Sequence, residues 1–204
     1  MTSILKADTI QDADGNNIIN ESSDTITIGA SGDTTNIIGT LQNNGSALIS
    51  GITEADQFRL SASIAAGTNA DITSNFERID TTGSPKVGTG MSESSGIFTF
   101  PSTGIYLVNV NAVFSTTASD AMCYVNTLYT ANNSSYVDGA YAVSANKSGS
   151  AENQSASSSL MVDVTDTSNI KIKFATVSMG SGTGLDGNSN VNYTTFTFIR
   201  LGAT

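Results

Sequence analysis

Histidine is absent from the 204-residue sequence, and cysteine occurs once, at Cys123. The absence of histidine excludes Ser-His-Asp triads, Cys-His pairs and histidine-ligated metal sites. A single cysteine excludes an intrachain disulfide. Cys123 lies in the alternating stretch "DAMCYVNTLY", which predicts a small buried thiol in a strand rather than a reactive nucleophile. No catalytic set is recognisable, so we expect that the protein is not an enzyme.

Basic residues are also scarce: 8 Lys and Arg stand against 18 Asp and Glu, which gives a net charge of −10. A nucleic acid or an anionic membrane surface would need a basic face to neutralise phosphates. No apolar run approaches the roughly 20 residues of a membrane helix, and the N-terminal stretch lacks the pattern of a secretory signal. We therefore expect no nucleic-acid partner, no membrane insertion, and folding in a reducing cytosol.

The first 50 residues differ in composition from the rest, since they contain no Tyr, Phe, Trp, Pro or Cys. Short apolar pieces such as "DTITIGASGD" and "TNIIGTL" alternate with polar turns. Each piece would form a strand of about four residues, too thin to build a core alone. Intertwining with identical chains would bury the isoleucines. We interpret residues 1–50 as an extended stem or anchor; the alternative is a tail that orders only on docking.

Residues 51–204 read as a succession of strands, which predicts one all-β head domain. In "GIYLVNVNAVF" the residues Tyr106, Val108, Val110, Ala112 and Phe114 share one parity, and that set is predicted to face the core. Nine short strands are predicted between Phe58 and the C-terminus, separated by turn residues. This spacing is typical of a two-sheet sandwich or jelly roll.

Pro101 stands between two of these strands, in "SGIFTFPSTGIYLVNVNAVF". Proline cannot donate to a central ladder, so it is predicted to begin a turn that Gly104 closes. The stretch resembles the G-x-F-T-x-P-x-x-G-x-Y signature of the C1q/TNF-like jelly-roll family. The matching residues are Gly96, Phe98, Thr99, Pro101, Gly104 and Tyr106. The resemblance covers about residues 56–203, and it implies a jelly-roll fold and a compact homotrimer.

The N-terminal stretch "SSDTITIGASGDTTNIIGTL" is similar to segments of bacteriophage tail-fibre and related virion proteins. A thin stem that carries a C1q-like head implies a trimeric virion appendage, made in the host cytoplasm. Residues 1–50 would contact other virion proteins, and the head would contact a host-surface glycan or protein. Alternatives are a capsid decoration or head-fibre protein, a lectin-like binding module, and a polysaccharide depolymerase. No converging pair of catalytic carboxylates is identifiable for the last.

Three stretches are candidate sites. "DADGNNIINE" places Asp12, Asp14 and Glu21 at spacings that suit calcium, although an Asp-Gly turn explains the same residues. No cofactor is expected, and a structural calcium ion is the alternative. Residues 180–190, "GSGTGLDGNSN", are predicted to form a long loop in which Asp186 could contact calcium or a sugar. Tyr136 and Tyr141 lie near a second predicted loop, where they would suit either glycan or protein contact or a place in the core.

Overall fold

The structure is a computed structural model of the chain. It describes residues 9–11, 13, 17–22, 25–28, 32, 34–38, 41–43, 46–47, 51–80, 82–83 and 86–204. The described residues form strands and turns without a helix, so none of them forms a helix that could cross a membrane. By its internal contacts the chain divides into two compact units, Met1–Ser50 and Gly51–Thr204.

The first unit contains a three-stranded antiparallel sheet, formed by β1 (Thr9–Gln11), β2 (Asn17–Ser22) and β3 (Thr25–Ile28). A two-stranded hairpin follows, formed by β4 (Gln42–Asn43) and β5 (Ser46–Ala47). Ile10 pairs with Ile19, and Ile19 pairs with Ile28, so three isoleucines form one row across the sheet. Their exposed fractions are 39%, 37% and 55%. This isoleucine row is an apolar surface that the unit leaves open to solvent.

The second unit is a sandwich of two antiparallel sheets. Its twelve strands are β6 (Ala55–Leu60), β7 (Ala62–Ile64), β8 (Phe76–Arg78), β9 (Ser92–Ser94), β10 (Ile97–Thr99), β11 (Gly104–Thr116), β12 (Asp120–Thr130), β13 (Val137–Asn146), β14 (Glu152–Val164), β15 (Lys171–Val177), β16 (Thr183–Asn188) and β17 (Thr195–Gly202). The small sheet has the strand order β13-β12-β15-β10-β9. In the large sheet, β14 pairs with one side of β11. On the other side, β17, β6 and β8 follow one end of β11, and β16 and β7 follow its far end.

The core lies between the two sheets, as alternation predicts. Tyr106, Val108, Val110, Ala112 and Phe114 of β11 are at most 1% exposed, which confirms the predicted core face of this strand. Phenylalanines from both sheets meet in the centre, and the rings of Phe174 in the small sheet and Phe196 in the large sheet are 4.3 Å apart. Burial of such side chains contributes about 1.5–3 kcal/mol each to folding.

The motif around Pro101 connects the small sheet to the large sheet, since β10 ends before it and β11 begins after it. The turn is stabilised by the hydroxyl of the buried Tyr106, which donates to the carbonyl of Ser102 at 3.1 Å and lies 2.9 Å from its Oγ. Gly104 has φ +145°, and a Cβ there would lie 2.5 Å from the carbonyl oxygen of Gly202. The prediction that Pro101 stands between strands and that Gly104 closes the turn is confirmed.

The prediction of a long loop at residues 180–190 is wrong, because Thr183–Asn188 is strand β16. Its glycines suggested a loop, but they serve close packing against β7. A Cβ on Gly187 would lie 2.4 Å from the carbonyl oxygen of Ala62, and one on Gly184 would lie 3.2 Å from that of Ile64. Glycine in a strand marks such close approach of a neighbouring backbone. Leu185 between them is fully buried.

Candidate interaction surfaces

An apolar row crosses the outer face of the large sheet, the face turned away from the core. Leu107 in β11 pairs with Met161 on one side and with Ile199 on the other, and Ile199 pairs with Ala55. Met161 is 65% exposed, and the other three are partly buried. We call these four residues the apolar row. It gives this face a hydrophobic band where an isolated sandwich would place polar side chains.

The apolar row lies at the end of the sheet where the head domain begins. Ala55 is the first residue of β6, and the backbone N–H of Arg200 donates to the carbonyl of Glu54 at 2.9 Å. Two more exposed aliphatic side chains lie at this end: Ile52, three residues before β6, and Leu201, near the end of β17, are each 54% exposed. The outer face of the large sheet is therefore most apolar close to residue 51.

Polar rows follow the apolar row along the same face. Asn109 pairs with Ser159 and with Thr197, and Thr197 pairs with Gln57. The Nε2 of Gln57 donates to Oγ1 of Thr197 at 2.7 Å, and Oγ of Ser159 donates to Oδ1 of Asn109 at 3.2 Å. An apolar row beside a hydrogen-bonded polar row resembles the apolar core and polar rim of protein interfaces.

The outer face of the small sheet carries a different group of residues, which we call the tyrosine face: Tyr124 and Asn126 of β12, and Asp138 and Tyr141 of β13. The rings of Tyr124 and Tyr141 meet edge to face, with centroids 4.9 Å apart. The hydroxyl of Tyr141 donates to Oδ2 of Asp138 at 2.6 Å, and Nδ2 of Asn126 donates to Oδ1 at 2.7 Å.

The hydrogen bonds of Asp138 fix its ionisation. The bond from Tyr141 and then the bond from Asn126 lower the pKa of the Asp138 carboxyl below its ordinary value. The same bond to Asp138 raises the pKa of the Tyr141 hydroxyl. Near neutral pH the pair is therefore a carboxylate beside a neutral phenol. The carboxylate retains acceptor sites beyond the two that Tyr141 and Asn126 occupy.

A small pocket of about 110 Å³ lies on the same side of the head, lined in part by Asp71, Gly96, Tyr136 and Lys173. The Nζ of Lys173 lies 2.7 Å from Oδ2 of Asp71 and 4.4 Å from the centre of the Tyr136 ring. The buried hydroxyl of Tyr136 has no hydrogen-bond partner among the described residues. Burial, and then the charge of Asp71, raise its pKa.

The structure places the three candidate contact residues on two different sheets. Tyr141 lies within β13 and Tyr136 immediately before it, both on the small sheet. Asp186 lies in β16 of the large sheet, where its Oδ1 accepts a hydrogen bond from Oγ of Ser115 at 2.7 Å. Asp186 is therefore in a strand, not in a loop, and it belongs to the sheet opposite the tyrosines. Sequence reasoning missed Tyr124 and Asn126, which alternation along β12 places on the face of Tyr141.

The described residues contain no group of three or more Cys, Asp or Glu side chains that could hold a metal ion. The calcium candidate at residues 12–21 includes Asp12, Asp14 and Gly15, which lie outside the described residues. Cys123 is fully buried in the sandwich. Burial, and then the charge of Asp120, raise the pKa of its thiol to about 11. The predicted structural thiol is confirmed, since such a group is neither exposed nor ionised.

Comparison with known proteins gives likenesses of fold only. No family model and no curated protein matches the sequence. Murine APRIL superposes with a TM-score of 0.52 at 10% identity, over 72% of this chain and 98% of that chain. Eiger TNF from S. frugiperda gives a TM-score of 0.53 at 13% identity, over 74% of this chain and 93% of that chain. For the globular domain of zebrafish complement 1qA protein the TM-score is 0.48 at 12% identity, over 74% of this chain and 99% of that chain.

The likenesses to APRIL and Eiger show that the head has the TNF-like jelly-roll fold. The predicted fold class, an all-β C1q/TNF-like jelly-roll sandwich, is confirmed. Fold alone does not fix function, which depends on the surfaces that the fold carries.

Proposed function

We propose that the protein is a non-enzymatic structural protein of a virion. In this proposal it is a homotrimer that anchors through residues 1–50 and presents three jelly-roll heads for attachment to a host surface. The observation that carries the proposal is the apolar row on the outer face of the large sheet. A second copy of the chain would cover this row, and the row lies at the end of the head to which residues 1–50 are joined.

In both units, self-association would remove apolar side chains from water. Each Leu, Ile or Met side chain removed from water contributes about 1.5–3 kcal/mol. The apolar row offers Leu107, Met161 and Ile199, and the isoleucine row offers Ile10, Ile19 and Ile28. A three-stranded sheet with one open apolar face is unstable alone and gains its second layer from identical sheets. Three copies, rather than two, are proposed from the C1q/TNF-like signature of the sequence.

The virion role is proposed from the similarity of residues 1–50 to stems of bacteriophage fibres. A trimer would present three identical faces to a repetitive host envelope, so individually weak contacts would add up by effective concentration. The surplus of acidic residues would keep the Ser- and Thr-rich surface soluble. The protein would be made in the host cytoplasm and reside in the virion. The alternative location is the capsid, with residues 1–50 docked on the shell as in a decoration protein.

Immunogold electron microscopy tests the role and the location. An antibody raised against residues 51–204 should label purified virions that carry the protein, at the tail for a fibre or over the shell for a decoration protein. Particles that carry no label anywhere, although the protein is made in the same culture, would contradict a structural role. A free binding module or a depolymerase would then have to be considered, the latter by release of reducing sugar from host polysaccharide.

A further inference from the structure

The small sheet turns its outer face away from the large sheet, and therefore away from the apolar row. In a trimer closed through the large sheets, the small sheets would lie on the outside of the particle. The tyrosine face and the pocket beside it would then be repeated three times on accessible surface. Their side chains differ in character from those of the apolar row, so a different kind of partner is indicated.

The tyrosine face offers aromatic surface with a fixed orientation. Tyr141 is 46% exposed and packs edge to face on Tyr124, and its hydroxyl is held by Asp138 at 2.6 Å. A ring that is held on two sides loses little conformational freedom when a ligand stacks on it. Tyrosine combines an apolar face with a polar tip, which suits a ligand that has both C–H and O–H groups.

Hydrogen-bonding groups without a full set of partners lie beside these rings. The Asp138 carboxylate has spare lone pairs, and it is on the solvent side of the sheet. Beneath it, Asn126 is only 5% exposed, and its Oδ1 has no partner among the described residues. In the pocket, the buried Tyr136 hydroxyl also lacks one. A buried polar group without a partner costs about 1–3 kcal/mol, and a ligand hydroxyl can supply the missing bond.

Spacing and charge restrict the ligand. Tyr141 of β13 pairs with Asn126 of β12. Lys173 of β15, on the other side of β12, pairs with Leu128, two residues further along β12. Standard strand geometry puts the Cα atoms of Tyr141 and Lys173 about 12 Å apart, which is about the span of two to three sugar rings. The pocket has room for about three or four waters, or for one hydroxymethyl group. Lys173, which lines the pocket, is already paired with Asp71, so the pocket does not select for an anionic ligand through this residue.

We propose that the outer face of the small sheet binds a neutral oligosaccharide, which stacks on Tyr141 and Tyr124, bonds to Asp138 and places a hydroxyl group in the pocket of Tyr136 and Lys173. This inference deepens the proposed function, because it names the class of ligand for the attachment step. A flat apolar protein partner is the competing occupant, since Val143 and Met122 nearby are 50% and 47% exposed. The pairing of Lys173 with Asp71 favours the sugar, as do two polar atoms without a partner among the described residues, Oδ1 of Asn126 and the Tyr136 hydroxyl.

Saturation-transfer difference NMR tests the proposal with the full chain and four neutral probes: maltotriose, mannotriose, galactotriose and chitotriose. Each is used at about 10 mM, because a single site of this size is expected to bind with a dissociation constant of about 1 mM. At least one trisaccharide should bind. Tyr141→Ala should weaken its binding at least about tenfold. Tyr141→Phe keeps the ring but loses the bond to Asp138, so it should have an intermediate effect.

The matched control is Tyr193→Ala, which removes a tyrosine of similar exposure, 44%, outside the tyrosine face. It should leave binding unchanged. Thermal midpoints of all variants show whether they fold. Binding of none of the four sugars, or equal binding by the wild type and a folded Tyr141→Ala variant, would overturn the proposal. The assay reads each head separately, so a monomeric chain that binds sugar would contradict the trimer alone. A trimer that binds none would contradict the sugar site alone.

Discussion

Met161 lies directly opposite Leu107 across β14 and β11, with both side chains on the outer face of the large sheet. Leu107 in turn lies opposite Ile199, so the apolar side chains form a continuous band across three strands. The next row on this face, towards the far end of β11, is polar, with Asn109 opposite Ser159 and opposite Thr197. An apolar row that spans three strands of one open face is what the interface of the proposed trimer requires.

Met161→Asp should dissociate the trimer. Met161 is 65% exposed in a single chain, so a carboxylate there should not disturb folding, but in the trimer it would be desolvated without a cation. Light scattering should report a monomer for this variant and a trimer for the wild type. Val143→Asp is the control, since Val143 is 50% exposed on the opposite face of the sandwich. Dissociation by both variants, or by neither, would refute the assignment of this face.

Gly96→Ala should destabilise the head by about 2 kcal/mol or more, because the new Cβ would meet the carbonyl oxygen of Ile72 at 2.1 Å. Gly149→Ala separates this clash from backbone strain. Gly149 has φ +75°, close to the +83° of Gly96, but open space surrounds its Cβ position. Gly149→Ala should therefore cost about 1 kcal/mol. Urea denaturation measures both. Equal losses would mean that glycine is required at position 96 only for its positive φ angle, and not to avoid the clash with Ile72.

Tyr106→Phe should cost about 1–2 kcal/mol, because it leaves the ring packed on Phe100 and removes only the hydrogen bonds to Ser102. The same change at Tyr193, which is 44% exposed, should be nearly neutral. Chemical denaturation of the two variants gives the comparison. If Tyr106→Phe unfolds at the wild-type midpoint, the hydroxyl does not stabilise the turn after Pro101.

Cys123 should be inert in the native protein. Its thiol is fully buried and its pKa is raised to about 11, so almost no thiolate exists at pH 8. Ellman's reagent at pH 8 should release no colour from the folded chain and one equivalent after guanidinium is added. Rapid labelling of the native protein would show that the sandwich opens at β12 or that the thiol is accessible.

The Asp120 carboxylate should make the head sensitive to acid. Burial opposes its ionisation, but hydrogen bonds from Oγ1 of Thr183 and from the backbone N–H groups of Gly180 and Met122 outweigh burial and lower its pKa below 3.8. A lowered native pKa contributes stability at pH values above the unfolded-state pKa, and this contribution is lost as the pH falls through the native pKa.

Urea midpoints between pH 7 and pH 3 measure this effect. The wild type should lose stability steeply below about pH 4, and Asp120→Asn should be less stable at pH 7 but lose less on acidification. The exposed Asp163→Asn serves as control and should follow the wild type. An acid slope that Asp120→Asn leaves unchanged would assign the sensitivity to other carboxylates.

The sequence predicted the parts of the fold that depend on local pattern. Period-two alternation identified the core face of β11, and Pro101 marked the connection between sheets. The prediction was wrong at β16, where Gly184 and Gly187 were interpreted as loop residues. Glycine is required at both positions because the backbone of β7 packs closely on them. β7 pairs with β16 across more than 120 residues of sequence, so this contact is not visible in the local pattern. Glycine spacing alone does not distinguish a flexible loop from a strand under a close neighbour.

The candidate surfaces were less predictable, because they depend on register between strands that are distant in sequence. Tyr141 was predicted as a candidate contact residue because it is a tyrosine near a predicted loop. The ring of Tyr124, on which it packs, lies on another strand. The apolar row is visible only when β6, β11, β14 and β17 are aligned, since each strand contributes a single residue to it. Asp186 was misplaced for the same reason, because its neighbour Ser115 is 71 residues away.

Sedimentation equilibrium of residues 1–204 measures whether the chain is a trimer in solution. The mass of one chain is 21.0 kDa, so we expect a single species of about 63 kDa, three times that value. The mass should persist on dilution to low micromolar concentration, as expected for an interface that buries both the apolar row and the isoleucine row. A stable species of 21.0 kDa would show that the chain is a monomer and would rule out the proposed trimer.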